Sequence, residues 1–369
     1  MRDQADVKAR AGKVNVMILA ERKQPRDTFV LVRGVWDKHG DKVTPDVPKA
    51  LTPWPADAPR DRLGLARWLT APENPLAGRV AVNHLWQMLF GQGIVRTTED
   101  FGLQGERPSH PELLDWLAVD LVKHGWDLKR TLKLIVMSRT YRQDSAVSAA
   151  LLAKDPENRL LARGARFRLP SWMIRDGALR SAGLFNPVLG GPPVRPYQPD
   201  GVWEELFMGR FKYEASEGPA QYRRTLYAFW RRSIAPTFLF DSAQRRSCEV
   251  RTGRTNTPLQ ALTLQNDATY LESSQAIAAE LLREGGDATR IQSLFRRVLS
   301  REANDQEAAL LGRTLMKARD HYRAQPAAAG QFLRVGQRVH ADGADLSELA
   351  AWTVVASLTL NLDEAITHE

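Results

Sequence analysis

Apolar residues recur at helical spacing through most of the chain, and this periodicity constrains the fold more than any other sequence feature. In residues 79–90 the apolar side chains at 82, 85, 86, 89 and 90 share one helical face, and Gly91 ends the pattern. The same reasoning predicts helices over residues 110–123, 128–136, 257–283, 287–299, 304–324 and 345–361. The last segment is apolar almost all round, so it should be buried.

Two helix starts carry capping-box spacing. Ser109 precedes Glu112 by three residues, and Thr257 stands in the same relation to Gln260. In such a box the hydroxyl accepts from the backbone amide three residues on, and the longer side chain reaches back to the first amide. Proline at the first helical position, as in Pro258, supports a helix start.

Three segments break the helical pattern. Residues 14–21 and 28–34 are rich in β-forming residues and flank a polar turn, which predicts a β hairpin. The proline-rich run 44–59 should be an extended connector. A Gly/Pro-rich segment at 184–200 lacks periodicity and is the best internal boundary.

The predicted fold class is therefore mainly α: an irregular multi-helix bundle in two packed halves, with a small N-terminal β hairpin. The chain has 369 residues, which is long for one compact core. The predicted organisation is a hairpin and connector at 1–60, a first helical half at 61–183, a linker at 184–200 and a second helical half at 201–369.

Several site chemistries are disfavoured by the sequence. The single cysteine, Cys248, excludes an intramolecular disulfide and any cysteine-based zinc site. The seven histidines form no H-x-x-x-H pair, and the chain has no GxGxxG, GxxxxGK[ST], C-x-x-C-H or GxSxG string. We therefore predict no metal and no cofactor. No apolar run reaches the length of a membrane span, and no signal peptide is visible at the N-terminus.

The charge balance favours anionic ligands. The formal net charge is +9, and 40 of the 52 basic residues are arginines, whose planar forks suit carboxylate, sulfate or phosphate. The arginines are spread along the chain, so composition bias is the simpler explanation of their number. The charge also keeps non-specific nucleic-acid binding as a disfavoured alternative.

The first candidate site lies between residues 96 and 115. Asp100, His110 and Glu112 are candidate catalytic residues for a glycan hydrolase or lyase, with Arg96 and Arg107 as candidate substrate-binding residues. The structural alternative is that Ser109 and Glu112 cap a helix and Asp115 occupies its first turn. Capping alone explains half of this group, so the structural reading is favoured.

The second candidate site is basic and aromatic. Its candidate substrate-binding residues are Arg223, Arg224, Tyr227, Trp230, Arg254 and Asn256. On a predicted helix over 222–232, Arg223, Tyr227 and Trp230 share one face, where a sugar ring and its sulfate or carboxylate could bind. The alternative is a buried belt in which these arginines, with Arg231, Arg232, Arg245, Arg246 and Arg251, pair with Asp241, Glu249 and Asp267.

Long strings in this chain resemble one family. They are VNHLWQMLFGQGIVRTTEDFGLQGERPSHPELLDWLA at 82–118, LIVMSRTYRQDS at 134–145, YRRTLYAFWRR at 222–232, RTNTPLQALTLQND at 254–267 and NLDE at 361–364. They are similar to the planctomycete-type domain of unknown function 1553. His84 departs from the pattern, which has arginine there in an Asn-Arg-x-Trp string.

The resemblance implies large exported bacterial proteins in which this domain follows a companion domain and often a cytochrome-c-like domain. It implies a periplasmic or other extracytoplasmic location and a link to polysaccharide breakdown, but it supplies no catalytic residue. The companion domain is not seen upstream, so we expect a split or truncated product that needs a partner.

The leading functional hypothesis is therefore an accessory or binding module of a polysaccharide-processing system. It would contact an anionic glycan or the companion domain through its arginine and aromatic surface.

Overall fold

The computed structural model describes residues 17–22, 24, 26–231, 233–241, 249–250, 253–339 and 343–368, and it is mainly helical, as predicted. Arg232, Arg245, Arg246, Cys248 and Arg251 lie outside the described residues. The helices are α1 (Arg62–Thr70), α2 (Ala77–Phe90), α3 (Pro111–Lys123), α4 (Leu128–Val136), α5 (Ala149–Lys154), α6 (Ser171–Ser181), α7 (Val202–Leu206), α8 (Pro258–Asn266), α9 (Ala268–Leu281), α10 (Asp287–Leu299), α11 (Asp305–Ala324), α12 (Pro326–Phe332), α13 (Leu346–Leu360) and α14 (Asp363–Ile366).

Two small antiparallel sheets accompany the helices. The strands are β1 (Thr28–Leu31), β2 (His39–Val43), β3 (Phe167–Arg168) and β4 (Thr367–His368). β1 pairs with β2, and β3 pairs with β4.

The N-terminal hairpin exists, but its predicted partner strand was wrong. β1 falls within the predicted strand at 28–34 and pairs with β2, with Thr28 opposite Val43. Residues 17–21 form no strand, and 14–16 lie outside the described residues. Arg33 and Gly34 take left-handed φ angles of +50° and +72°, which return the chain after a short loop and keep its closure entropy small.

Contacts divide the chain into two units. Unit 1 comprises residues 1–83 and 110–131, and unit 2 comprises 84–109 and 132–369. These bounds differ from the predicted halves at 61–183 and 201–369. The segment at 184–200, which was predicted to link the two halves, lies within unit 2.

In unit 1 the helix predicted over 110–123 is confirmed as α3, and one of its faces is buried. Leu114, Leu117 and Leu121 are buried. The capping box at its start was wrong, because the N-cap residue is His110 and makes no side-chain capping hydrogen bond.

The core of unit 2 is built around α13, and the predicted burial of this apolar helix is confirmed. Trp352 and Val355 are fully buried, and the helix packs mainly against α9 and α11. A helix that is apolar on every face is stable only when neighbours cover all of its surface.

The long helix predicted over 257–283 is interrupted. It consists of α8 and α9, separated at Asp267, whose ψ of 136° is extended. The Asp267 side chain accepts from the Thr269 amide at 2.9 Å and so caps α9. This local capping bond competes with helix continuation, as short polar side chains commonly do.

The helix predicted over 222–232 was also wrong. Thr225–Tyr227 form only a short 3₁₀ turn, and the following residues are extended beside residue 194. The Val194 amide donates to the Tyr227 carbonyl at 2.8 Å, and the Phe229 amide donates to the Val194 carbonyl at 2.7 Å. These bonds to a distant segment satisfy the backbone in place of a helix.

No helix in the described ranges is long and apolar enough to cross a membrane.

Candidate functional site

A cavity of about 500 Å³ lies in unit 2, beside the start of α6. Its charged and large aromatic lining residues are Arg168, Arg224, Arg254, Asp176, Asp241, Trp172, Trp230 and Phe240. We call it the arginine cavity. Three of the substrate-binding residues predicted from the sequence, Arg224, Trp230 and Arg254, meet here.

The elements that shape this cavity are fixed by packing at their ends. β3 carries Arg168 and is held against β4, with Arg168 opposite Thr367. On the other side of β3, Gly91 ends α2, and a side chain there would come within 2.7 Å of the Phe167 ring. The α6 helix starts directly after Pro170 and presents Trp172, which is 47% exposed, at the cavity wall.

Arg168 is a largely shielded cation in the cavity wall. Its Nη1 donates to the Asn256 side-chain oxygen at 2.9 Å, and its guanidinium lies 5.6 Å from the Phe240 ring centroid. Its Nε and Nη2 are buried and make no hydrogen bond to any described residue. Burial lowers the pKa of this arginine, and the nearby Asp241 carboxylate opposes that effect. The site therefore contains positive charge that is not matched by an ion pair with the described residues.

Arg224 and Arg254 differ in their surroundings. The Arg254 guanidinium lies 4.6 Å from the Phe167 ring centroid, a cation–π arrangement. Arg224 is half-buried, and its guanidinium forms neither a hydrogen bond nor an ion pair with any described residue. A half-buried arginine of this kind keeps its hydrogen-bonding capacity for a ligand.

The two aspartates of the cavity are engaged by the protein. Asp176 accepts from the Thr225 amide at 2.8 Å and from its hydroxyl at 2.7 Å. Asp241 accepts from the Thr255 amide at 2.7 Å and from the Gln260 amide group at 3.2 Å. The predicted ion-pair belt is not formed by Arg223 or Arg224, since neither pairs with an acid among the described residues.

Arg223 lies behind the cavity rather than in its lining. It is 6% exposed, and it donates to the carbonyls of Pro192 at 2.9 Å, Val188 at 3.2 Å and Gly190. Its guanidinium also lies 3.9 Å from the Tyr227 ring centroid. Arg223 therefore holds the loop before residue 193 and supports Tyr227 from one side.

The first predicted site is divided between the units. Asp100 belongs to unit 2 and accepts from the Gly102 amide at 2.7 Å, which closes a local turn. His110 and Glu112 belong to unit 1, with His110 as the N-cap residue of α3 and Glu112 exposed in its first turn. The catalytic grouping of these residues stays a prediction.

The two arginines predicted to serve that site also have clear positions. Arg96 forms an ion pair with Glu157 at 2.6 Å and borders a cavity of only about 80 Å³. Arg107 is exposed. A cavity of this size is far below the volumes of typical ligand pockets.

Sequence reasoning missed Arg168, Trp172 and the whole of α6. The available signal was a helical stretch bounded by Pro170 and Gly183, both of which are typical punctuation for a helix. Among the described residues, no group of three or more histidine, cysteine, aspartate or glutamate side chains could hold a metal ion.

Comparison with known proteins gives one match. The family model described as PSD1, protein of unknown function (DUF1553), matches residues 61–315. No curated protein and no solved structure matches the chain.

Proposed function

The chain belongs to the DUF1553 family of proteins of unknown function, and we propose that it is a binding module for an acidic glycan. The acid group of the sugar binds to Arg224 and Arg254, and the sugar ring packs against Trp172 and Trp230. The module works outside the cytoplasm beside a companion domain, as the family resemblance implies.

The single observation that supports this proposal most strongly is the surroundings of Arg224. Arg224 lines the arginine cavity, its guanidinium has no partner among the described residues, and two tryptophans line the same cavity. An arginine fork forms charge-assisted hydrogen bonds to a carboxylate or sulfate, while an indole ring provides a flat apolar surface.

The electrostatics of the cavity favour an anion. Three arginines line it against two aspartates, and both aspartates already accept hydrogen bonds from the protein. The buried edge of Arg168 adds a cation whose field is weakly screened, because little water surrounds it. Binding an anion here would offset part of the desolvation that lowers the Arg168 pKa.

The same geometry favours binding over cleavage. A glycosidase commonly needs one carboxylic acid that can donate a proton and one carboxylate free to act as base or nucleophile. In the arginine cavity Asp176 is held by Thr225, and Asp241 is held by Thr255 and Gln260. Both carboxylates therefore serve as acceptors that shape the cavity wall.

The test is calorimetric titration of the full chain with acidic saccharides: galacturonate, its oligomers and sulfated galactose, with galactose as the neutral control. We expect binding of the acidic sugars and none of the neutral one. Arg224→Ala should weaken that binding by about tenfold or more, since a hydrogen bond to a charged group contributes roughly 1.5–3 kcal/mol.

The matched control is Arg313→Ala. Arg313 is an exposed arginine on α11, so this change alters the net charge equally without touching the cavity. If Arg224→Ala and Arg313→Ala weaken binding equally, the net charge of the protein alone accounts for the affinity. Absence of binding for every acidic sugar would refute the proposal.

A further inference from the structure

A second depression adjoins the arginine cavity. It measures about 370 Å³, and its lining includes Gly191, Pro193, Tyr227 and Phe229. Leu226 and Trp230 line both this depression and the arginine cavity. The two spaces therefore adjoin at these two residues.

The second depression differs in chemistry from the first. None of the residues that line it is charged, and three of the seven, Tyr227, Phe229 and Trp230, are aromatic. The aromatic rings suit the apolar face of a sugar ring, and the lining offers no cation to pair with an acid group.

Tyr227 is held rigidly in this surface. Its hydroxyl accepts from the Gly190 amide at 2.7 Å, and the Arg223 guanidinium lies against its ring. Gly191 has a φ of +84°, a left-handed conformation that favours glycine and shapes the loop opposite Tyr227. A platform fixed in this way loses little conformational entropy when a ligand binds.

Because the two spaces share these lining residues, we propose that the ligand is a chain of at least two sugar units. The acidic unit lies in the arginine cavity, and the next unit crosses Leu226 and Trp230 to lie on Tyr227 and Phe229 in the second depression. The acid group is required only at the first position, because the second depression has no charged lining. This inference rests on the proposed function and adds the length and the charge pattern of the ligand.

The experiment compares galacturonate with its dimer, trimer and tetramer by calorimetric titration of the full chain. We expect affinity to rise at least tenfold from the monomer to the dimer or trimer and then to level off. A longer chain offers several equivalent units, so a gain of two- to fourfold is statistical and would not support the second subsite.

Two variants at Tyr227 test whether the gain in affinity from monomer to trimer arises in the second depression. Tyr227→Ala should remove most of the difference between monomer and trimer while leaving monomer affinity within about twofold. Tyr227→Phe, which keeps the ring, should retain the difference. Because Tyr227→Ala also removes a stacking partner of Arg223, Leu226→Ala serves as a second variant. The Leu226 side chain is 76% exposed, so its removal leaves the packing of the protein intact, and it should also reduce the difference between monomer and trimer.

The outcomes separate the two proposals. If the monomer binds and longer chains gain no more than the statistical factor, the second subsite is refuted and the binding function stands. The same conclusion holds if Tyr227→Ala and Leu226→Ala both bind the trimer as the parent chain does. If no galacturonate of any length binds and sulfated galactose also fails, both proposals are refuted.

Discussion

Arg223 and Arg224 show how neighbouring residues of one type take different roles. Arg223 is buried and donates to three backbone carbonyls, whereas Arg224 lines the arginine cavity without a partner among the described residues. The sequence places both in one basic and aromatic cluster. Only the backbone path through Thr225 and Tyr227 decides which guanidinium faces inward.

The first prediction uses this pair. Arg223→Ala should lower the free energy of unfolding by about 2–4 kcal/mol, because it removes a buried side chain together with its three hydrogen bonds to backbone carbonyls. Arg224→Ala should change it by less than about 0.5 kcal/mol. Urea denaturation of both variants measures the difference. Similar losses of stability in the two variants would contradict a structural role for Arg223 and a ligand-binding role for Arg224.

The second prediction concerns alkaline stability. Tyr270 is 1% exposed, and burial raises its pKa above the usual value of 10.0. The pKa of Tyr270 is higher in the folded chain than in the unfolded chain. The contribution of this residue to the free energy of unfolding is therefore fully present below about pH 10 and is lost as the pH rises further. While only the unfolded form titrates, the loss is about 1.4 kcal/mol per pH unit for this residue. Burial raises the pKa of Tyr213 to about 12, which acts in the same direction.

Tyr270→Phe is the matched variant. The Tyr270 hydroxyl makes no hydrogen bond to any described residue, so the change should alter stability at pH 7 by less than about 1 kcal/mol. Thermal melts between pH 8 and 11 should show a shallower alkaline decline than in the parent chain. An unchanged decline would show that the pKa of Tyr270 does not differ between the folded and the unfolded chain.

At the scale of elements, helices were predictable where the apolar pattern and the tertiary contacts agree. α2, α10, α11 and α13 lie within one or two residues of their predicted ranges. The 222–232 segment has equally good helical spacing, but bonds to residue 194 and the burial of Arg223 override it. Such long-range competition cannot be seen in a local sequence window.

The candidate site follows the same rule. Arg224, Trp230 and Arg254 could be predicted because arginine and aromatic residues cluster in the sequence. Arg168 and Trp172 could not, since they join the cavity only through the pairing of β3 with β4 and the direction of α6. Asn256 was predicted to bind ligand, and the structure shows it holding Arg168.

The third prediction concerns the contact among α10, α11 and α13. Arg319 bonds to Glu348 at 2.7 Å and to Asp287 at 2.6 Å, and its side chain is 17% exposed. Arg319→Ala should lower the free energy of unfolding by about 1–3 kcal/mol, because it removes the nearest cation from two partly buried carboxylates. Arg290 remains 3.6 Å from Asp287 and Arg323 remains 3.7 Å from Glu348, so both charges keep a more distant partner. Arg296→Ala is the control: Arg296 pairs with Glu302 in the open, so its loss should cost less than about 1 kcal/mol.

The effect of Arg319 should depend on pH. The hydrogen bond from Arg319 lowers the pKa of Asp287 below its usual 3.8. The pKa of Asp287 is therefore lower in the folded chain than in the unfolded chain. The stabilisation from its contact with Arg319 is present above about pH 4 and is lost as the pH falls. The stability difference between the parent chain and Arg319→Ala should shrink in acid, and a constant difference down to pH 2 would contradict this assignment.

At the scale of the whole molecule, the net charge of +9 attracts anions of every kind, so charge must be separated from specific recognition. Our fourth prediction is that galacturonate trimer binding weakens only about tenfold or less between 50 and 500 mM NaCl. One or two ionic contacts give a shallow salt dependence, and the aromatic contacts are not screened. A loss of a thousandfold or more would instead indicate the many phosphate contacts of nucleic-acid binding.

The most direct test of the central claim observes the tryptophans themselves. The chain has ten, of which Trp172 and Trp230 line the arginine cavity, while Trp203 and Trp352 are fully buried elsewhere. Nuclear magnetic resonance of the indole N–H groups, assigned with Trp→Phe variants, follows each one during titration with galacturonate trimer. We predict that the Trp172 and Trp230 signals shift progressively as the trimer is added and stop shifting once the protein is saturated. The signals of Trp203 and Trp352 should not shift. Saturable binding that leaves Trp172 and Trp230 unmoved would contradict the account.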